Sequence, residues 1–319
     1  MRSKTVVYGL IITAIGAQVA SSLVAAEAPE PRSHSEVEAV LAKAPKPTSR
    51  QRLRELDIVL VAFDKDHAEN EHDYPLWQKR WAVLLGGKEA GQEKQVNLYG
   101  PRPQGRQKRM LAGAPKVNVS TAYGWPSKEQ FETADLIAAF CYIQYDRKKL
   151  KDLDAFLSRG GGYVILHPAV IIPKGMDITQ EMTRLVGLAW EHDYTRWRHG
   201  PVALKIAAPD HPICVGLPAT INLLDEAYWP LKGDRSTVTV LATSDETISK
   251  DSVQTRPEPM FYTYESGKGR VFSCILGHYT WTFDDPYVRI LLLRGMAWAA
   301  KESPYRFDRL VLRGIALSD

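Results

Sequence analysis

Cysteine is scarce: only Cys141, Cys214 and Cys274 stand among 319 residues. An odd count leaves at least one unpaired, and no CxxC or Cys/His finger spacing is present. A zinc finger and a thioredoxin-like redox pair are thereby excluded. A disulfide framework is unnecessary at this size, and the three thiols are expected to be small buried hydrophobes. No GxSxG elbow marks a serine hydrolase, and no GxGxxG follows a strand. The GGKEAG stretch at 86–91 lacks P-loop spacing, and no strand leads directly into it. No nucleotide cofactor is expected. Internal repeats and low-complexity tracts are also absent from the sequence.

Charge of one sign is nearly lacking too. Lys plus Arg is 41 against 37 acidic residues, a net charge of +4 with a pI near 8.8. Arg2 and Lys4 belong to an N-terminal leader with no acidic residue. Lys88, Lys94, Arg102, Arg106, Lys108 and Arg109 face only Glu89 and Glu93 between Gly86 and Pro115. Outside these two segments the chain is slightly acidic, so the pI marks no nucleic-acid face.

One apolar run is long. Val6 to Ala26 carries no charge, follows a basic start and ends in Val24-Ala25-Ala26. Residues 1–26 read as a secretory signal peptide cleaved after Ala26. The competing reading is an uncleaved anchor, which would be the chain's one route to a membrane. Either way the folded part lies outside the cytoplasm.

Residues 27–54 form a Pro- and Ala-rich lead-in. A short helix is expected at Ser35–Ala44, capped by Ser35 with Glu38 at the box position. Strand-like and helix-like segments then alternate. Strands are expected at Ile58–Phe63, Val117–Ala122, Leu136–Tyr142 and Tyr163–Leu166. Helices are expected at Tyr74–Leu85, Ser127–Thr133 and Lys148–Ser158. Such alternation implies right-handed crossovers and a parallel sheet. The second half is richer in strands: Val202–Ala207, Val238–Thr243, Phe261–Tyr264 and Val271–Ile275, with a hairpin turn at Lys268-Gly269. A helix at Pro286–Ala300 closes a domain spanning 55–301, leaving a tail at 302–319. Residues 86–115 read as an inserted basic loop.

Histidine is the informative residue, with eight in the chain. Ligands of such sheets bind beyond the carboxyl ends of strands. There the first strand runs into Asp64-Lys65-Asp66-His67 and Glu71-His72-Asp73-Tyr74. The strand at 163–166 runs into His167, and the strand at 271–275 into His278-Tyr279-Thr280-Trp281. Asp225-Glu226-Ala227-Tyr228 adds an acidic, aromatic cluster. Imidazoles converging with a carboxylate are the composition of a metal or acid–base site. His192 and His199 flank Tyr194, Arg196 and Trp197, a segment that could line a sugar pocket or be a surface loop. No pair of acidic residues can be assigned as glycosidase carboxylates.

These residues also carry a resemblance. DHAENEHDYPLW (66–77), ADLIAAF (134–140), FLSRGGGYVILHPAV (156–170), HPICVGLP (211–218), DEAYW (225–229), LATS (241–244), GKGRVF (267–272), LGHYTWTFDD (276–285) and LLLRGMAWAA (291–300) occur in this order. Through them the chain resembles the trehalose-utilisation (ThuA-like) family, a branch of the class I glutamine-amidotransferase-like superfamily. The resemblance implies a flavodoxin-like, doubly wound α/β fold with a mostly parallel sheet, helices on both faces and a β-rich second half. It also implies a secreted bacterial protein, periplasmic or extracellular, that acts on a small sugar such as a disaccharide or keto-sugar. The implied catalytic residues are His72, His167, Glu226 and His278. His72, His167 and His278 are the implied ligands of a divalent metal such as zinc. The resemblance also carries over His67, and the candidate sugar-contacting residues are His67 with the aromatic Tyr74, Tyr228, Tyr279, Trp281 and Trp197.

Two departures bear on this. The family's first motif carries glycines after its histidine, whereas Ala68, Glu69 and Asn70 stand here. Glutamine amidotransferases place a nucleophilic cysteine where this chain has His167, so no glutaminase activity is expected. A non-catalytic carbohydrate-binding or scaffold module of a surface degradation system is the alternative. A homo-oligomer is left open.

Overall fold

The computed structural model describes residues 27–45, 53–86 and 113–318. The leader and most of the basic insertion lie outside the described residues. Along the chain run α1 (His34–Leu41), β1 (Leu56–Ala62), α2 (Tyr74–Gly86), β2 (Val117–Tyr123), α3 (Lys128–Thr133), β3 (Leu136–Phe140), α4 (Arg147–Ser158), β4 (Gly162–Leu166), α5 (Thr179–Val186), β5 (Arg196–Ile206), β6 (Thr220–Trp229), β7 (Thr239–Thr247), β8 (Thr255–Ser266), β9 (Gly269–Cys274) and α6 (Pro286–Ala299).

The strands form one nine-stranded sheet in the order β2-β1-β3-β4-β9-β8-β7-β5-β6. From β2 to β9 every pairing is parallel; from β9 to β6 every pairing is antiparallel. The fold is therefore α/β, and its β-rich second half continues the same sheet in the antiparallel sense. LIAAF in β3 and GYVIL in β4 are buried throughout, as strands covered on both faces must be. The chain steps one way from β1 to β2 and the other way from β3 to β4. Right-handed crossovers then place α2 and α4 on opposite faces. The sheet tolerates α6 across it through Gly162, where a Cβ would stand 2.4 Å from the Ala299 carbonyl oxygen.

Several local expectations hold in detail. Ser127 and Gln130 form a complete capping box on α3. β8 and β9 form the expected hairpin, with Ser266 opposite Gly269. Other boundaries move. The first helix begins at His34, so its N-cap position falls on Ser33 rather than Ser35, and the Ser33 side chain makes no capping hydrogen bond. β5 starts at Arg196, six residues before the apolar pattern at Val202, because β6 pairs with it along that polar stretch. β6 and α5 were not anticipated at all.

All three cysteines are unpaired and buried. Burial pushes the Cys141 and Cys214 thiols up to about 12, and that of Cys274 well above the ordinary value. They remain protonated and inert, as small hydrophobes do. The segment after α6 packs back onto it. There Arg294, fully buried, donates to both Asp308 oxygens and to the Val215 carbonyl. No helix among the described residues is long and apolar enough to cross a membrane.

Candidate functional site

The parallel strands β1, β4 and β9 release their chains at one edge of the sheet. His167 follows β4 directly, and His278 follows β9 by four residues. The loop after β1 ends at His72. It is tied across to the loop after β9: the His72 N–H donates to the His278 carbonyl at 2.8 Å, and the Thr280 N–H to the Asn70 carbonyl at 2.8 Å. Glu226 comes from β6, at the far edge of the sheet order. β5 meets β7 only at Lys205 and Ile206, so the rest of the β5–β6 ribbon is free to curl over the carboxyl edge. It brings Glu226 onto His167 and His278.

Asn70, His72 and His167 are non-glycine residues with φ of 64°, 41° and 48°. Two of these three left-handed residues belong to the cluster, and such strain persists only where surrounding structure holds it. This answers the missing glycines of the first motif: the loop takes left-handed turns with Asn70 and His72 instead.

The four side chains are buried, and their ligand atoms lie within 4.8 Å of one another. The Glu226 Oε2 is 3.0 Å from His167 Nε2 and 3.0 Å from His278 Nδ1. His278 Nδ1 is also 3.0 Å from His72 Nε2. The outward nitrogens all face acceptors. His167 Nδ1 donates to the Ile275 carbonyl at 2.7 Å. His72 Nδ1 lies 3.1 Å from Asp66 Oδ1. His278 Nε2 points toward Glu71 Oε2 at 3.6 Å and makes no hydrogen bond. A ring whose outer nitrogen carries the proton turns a lone pair inward. With each proton on the outer nitrogen, three inward lone pairs and a carboxylate oxygen would converge on one point, the arrangement a bound cation satisfies. Outer partners of this kind are how metal-ligating histidines are oriented.

The electrostatics agree. Burial, helped by the neighbouring imidazoles, drives His72 down to about 3, so this ring is neutral near pH 7. Burial alone would raise Glu226, but hydrogen bonds from the inward nitrogens of His167 and His278 outweigh it and hold the carboxyl below its usual range; a bound cation would take the place of those two protons. Asp66 is treated similarly: burial opposes ionisation, and hydrogen bonds from His72 and His67 bring it down to about 2. Asp225 is fully buried, and burial raises its pKa against the hydrogen bonds it accepts.

The family model described as ThuA, trehalose utilisation, matches residues 116–299, more than half of the chain. The chain belongs to this family. Two solved ThuA-like proteins share the fold. One, from Parabacteroides merdae ATCC 43184, is 18% identical, with 78% of this chain and 92% of that one covered and a TM-score of 0.52. The other, from Bacteroides uniformis ATCC 8492, is 18% identical, with 82% and 99% covered and a TM-score of 0.53. No curated protein matches the chain. His167, Glu226 and His278 lie within the matched residues, and His72 lies before them.

The remaining expected residues are placed differently from one another. His67 and Trp197 are exposed beside the cluster, and Tyr279 is buried. The exposed His67 ring is 3.9 Å from that of His72, and Trp197 is 56% exposed. Tyr279 accompanies His199, with Oη 3.2 Å from Nδ1. Tyr74 and Tyr228 have no open face. Tyr74 donates to Asp66, and the Tyr228 hydroxyl lies 2.9 Å from His167 Nε2 while its ring stacks on His167. Trp281 stands behind Tyr279, stacked at 4.3 Å, and lines a separate cavity of about 460 Å³ beside residues 27–32. The structure adds Asp66, Asp225 and His199. His199 is Glu226's cross-strand partner, with Nε2 3.4 Å from Oε1. Only the β5–β6 register reveals that pairing.

Proposed function

We propose that this ThuA-family chain is an exported enzyme that processes disaccharides or keto-sugars at a divalent metal. His72, His167, His278 and Glu226 hold the metal, zinc or another first-row ion with the same taste for imidazole and carboxylate. The observation that carries the reading is the set of three imidazoles, each backed on its outer nitrogen by an acceptor and turned inward on one carboxylate oxygen. A metal bound there supplies Lewis acidity to a sugar oxygen.

The chain's own groups divide the remaining tasks. Asp66 and the Ile275 carbonyl fix the His72 and His167 rings. His67 holds its Nδ1 against Asp66 at 2.6 Å, which leaves Nε2 free at the mouth to exchange a proton with substrate. Partly exposed His199, between Tyr279 and Glu226, can serve from the opposite side. Trp197 offers an exposed aromatic face to the apolar side of a sugar ring. The strand order β2-β1-β3-β4-β9 supports the flavodoxin-like reading, with β9 as the fifth parallel strand. The leader at 1–26 supports export.

A second reading has one observation in its favour: all four donors would come from the protein, as in structural zinc sites. The cluster would then brace a carbohydrate-binding module. Turnover separates the two. Purified protein is assayed against a panel of disaccharides and their keto derivatives, before and after chelation. The enzyme reading expects turnover that chelation abolishes and a divalent metal restores. Sugar binding without turnover, with or without added metal, would establish the binding module.

A further inference from the structure

Two of the few large hydrophobic side chains left in solvent stand together on the carboxyl edge of the sheet. Phe63 is 43% exposed and Tyr123 is 65% exposed. Ala62 and Tyr123 are register partners at the ends of β1 and β2, so Phe63 emerges beside Tyr123. Their ring centroids are 4.6 Å apart at 33°. We propose that this pair is a platform for the outer ring of a di- or oligosaccharide whose reacting ring occupies the His/Glu centre. The proposal rests on the sugar-processing reading and names where the rest of the substrate lies.

The platform is preorganised despite its exposure. The Tyr123 hydroxyl donates to Asp64 Oδ2 at 2.6 Å, which fixes that ring. The Gly124 N–H donates to the Ala62 carbonyl at 2.7 Å and closes the turn behind it. Gly124 has φ of +70°, and a Cβ there would stand 3.2 Å from the Phe63 ring, so that ring rests on bare backbone. Rings already held in place lose little freedom on binding.

Its position points to the same occupant. One loop carries Phe63 at its start, His67 in its middle and His72 at its end. His67 is four positions after Phe63, so their Cα atoms are at most about 14 Å apart. The His67 ring is itself 3.9 Å from His72 and 5.4 Å from His278. A second or third sugar ring covers such a span.

The chemistry matches a pyranose, whose C–H face is apolar and whose rim carries hydroxyls. The two rings offer the apolar face, while the exposed carboxylates of Asp64 and Asp66 stand along the same loop as acceptors. Two rings bordered by Asp64, Lys65 and Asp66 lack the breadth of a protein-docking patch. None of these features needs the metal.

The test compares wild type, Tyr123→Ala and the Phe63→Ala/Tyr123→Ala double variant. Calorimetry measures binding of glucose, trehalose, maltose and maltotriose, with metal content and sedimentation recorded in parallel. The expected result is that the larger sugars bind wild type more tightly than glucose does. Each lost ring should weaken the larger sugars several-fold, about tenfold for the double variant. Glucose affinity, metal content and association state should stay as in wild type. Larger sugars that bind the double variant as tightly as wild type overturn the platform alone. A double variant that changes association state, with sugar affinities intact, assigns the rings to a protein interface and also overturns it. If wild type binds none of these sugars, the sugar reading falls and the platform with it.

Discussion

Replacing Glu226 by glutamine is expected to lower sugar turnover by roughly 10³-fold while leaving the protein folded. The carboxylate is the one anionic donor at the meeting point, 3.0 Å from both His167 Nε2 and His278 Nδ1. The amide has the same shape but no charge. Its NH₂ can donate to the inward lone pairs of the two imidazoles, so the buried side chain keeps partners and the fold survives. What is lost is the charge that holds a cation. Lewis-acid stabilisation at such a centre is worth several kcal/mol, and each 1.36 kcal/mol is tenfold in rate, which sets the scale of the loss. Turnover, metal content and a melting curve measured on the same preparation check the prediction. A metal-free Glu226→Gln that turns over sugar at the wild-type rate would remove the cluster from the chemistry.

Truncating Asp225 should have the larger effect on stability. Its carboxylate is wholly buried and accepts four hydrogen bonds. They come from the N–H groups of Glu226 at 2.7 Å, Gly277 at 2.9 Å and His278 at 2.9 Å, and from the Thr282 hydroxyl at 2.7 Å. Asp225 thus pins the loop that carries His278 to the strand that carries Glu226. Asp225→Ala leaves three backbone donors and a hydroxyl unpaired in a dry environment. Each stranded donor costs about 1–3 kcal/mol, and partial relaxation brings the expected total to about 3–5 kcal/mol. Denaturant unfolding should show a lower midpoint with an unchanged slope. Metal affinity should fall with it, because two ligands lose their common anchor. A midpoint within error of wild type would show that another contact holds the loop.

The sequence reveals the parallel half of the sheet best. Apolar runs such as IVLVA, a capping box and a glycine-rich turn are local signals, and β1, β3, β4 and α3 stand within two residues of where those signals put them. His167 and His278 were legible for the same reason, since strand ends locate a site. Glu226 could be named only through its DEAYW motif. β6 was not legible as a strand, because its final residues are buried on both sides and break the alternation that marks an edge strand. The polar start of β5 hid the strand that positions His199. Asp66 looked like one charge among several. Its place behind His72 depends on a left-handed turn at a histidine, which no propensity predicts. Tyr74 and Tyr228 read as open aromatic faces, yet both hydroxyls are consumed inside the cluster.

The most direct test of the metal centre is X-ray absorption on chelator-stripped protein titrated with zinc. The predicted result is one zinc per chain, with three imidazole nitrogens and a carboxylate oxygen at about 2.0–2.2 Å. That shell should be lost in His278→Ala. No stoichiometric uptake, or zinc surrounded only by water oxygens, would contradict a metal held by His72, His167, His278 and Glu226.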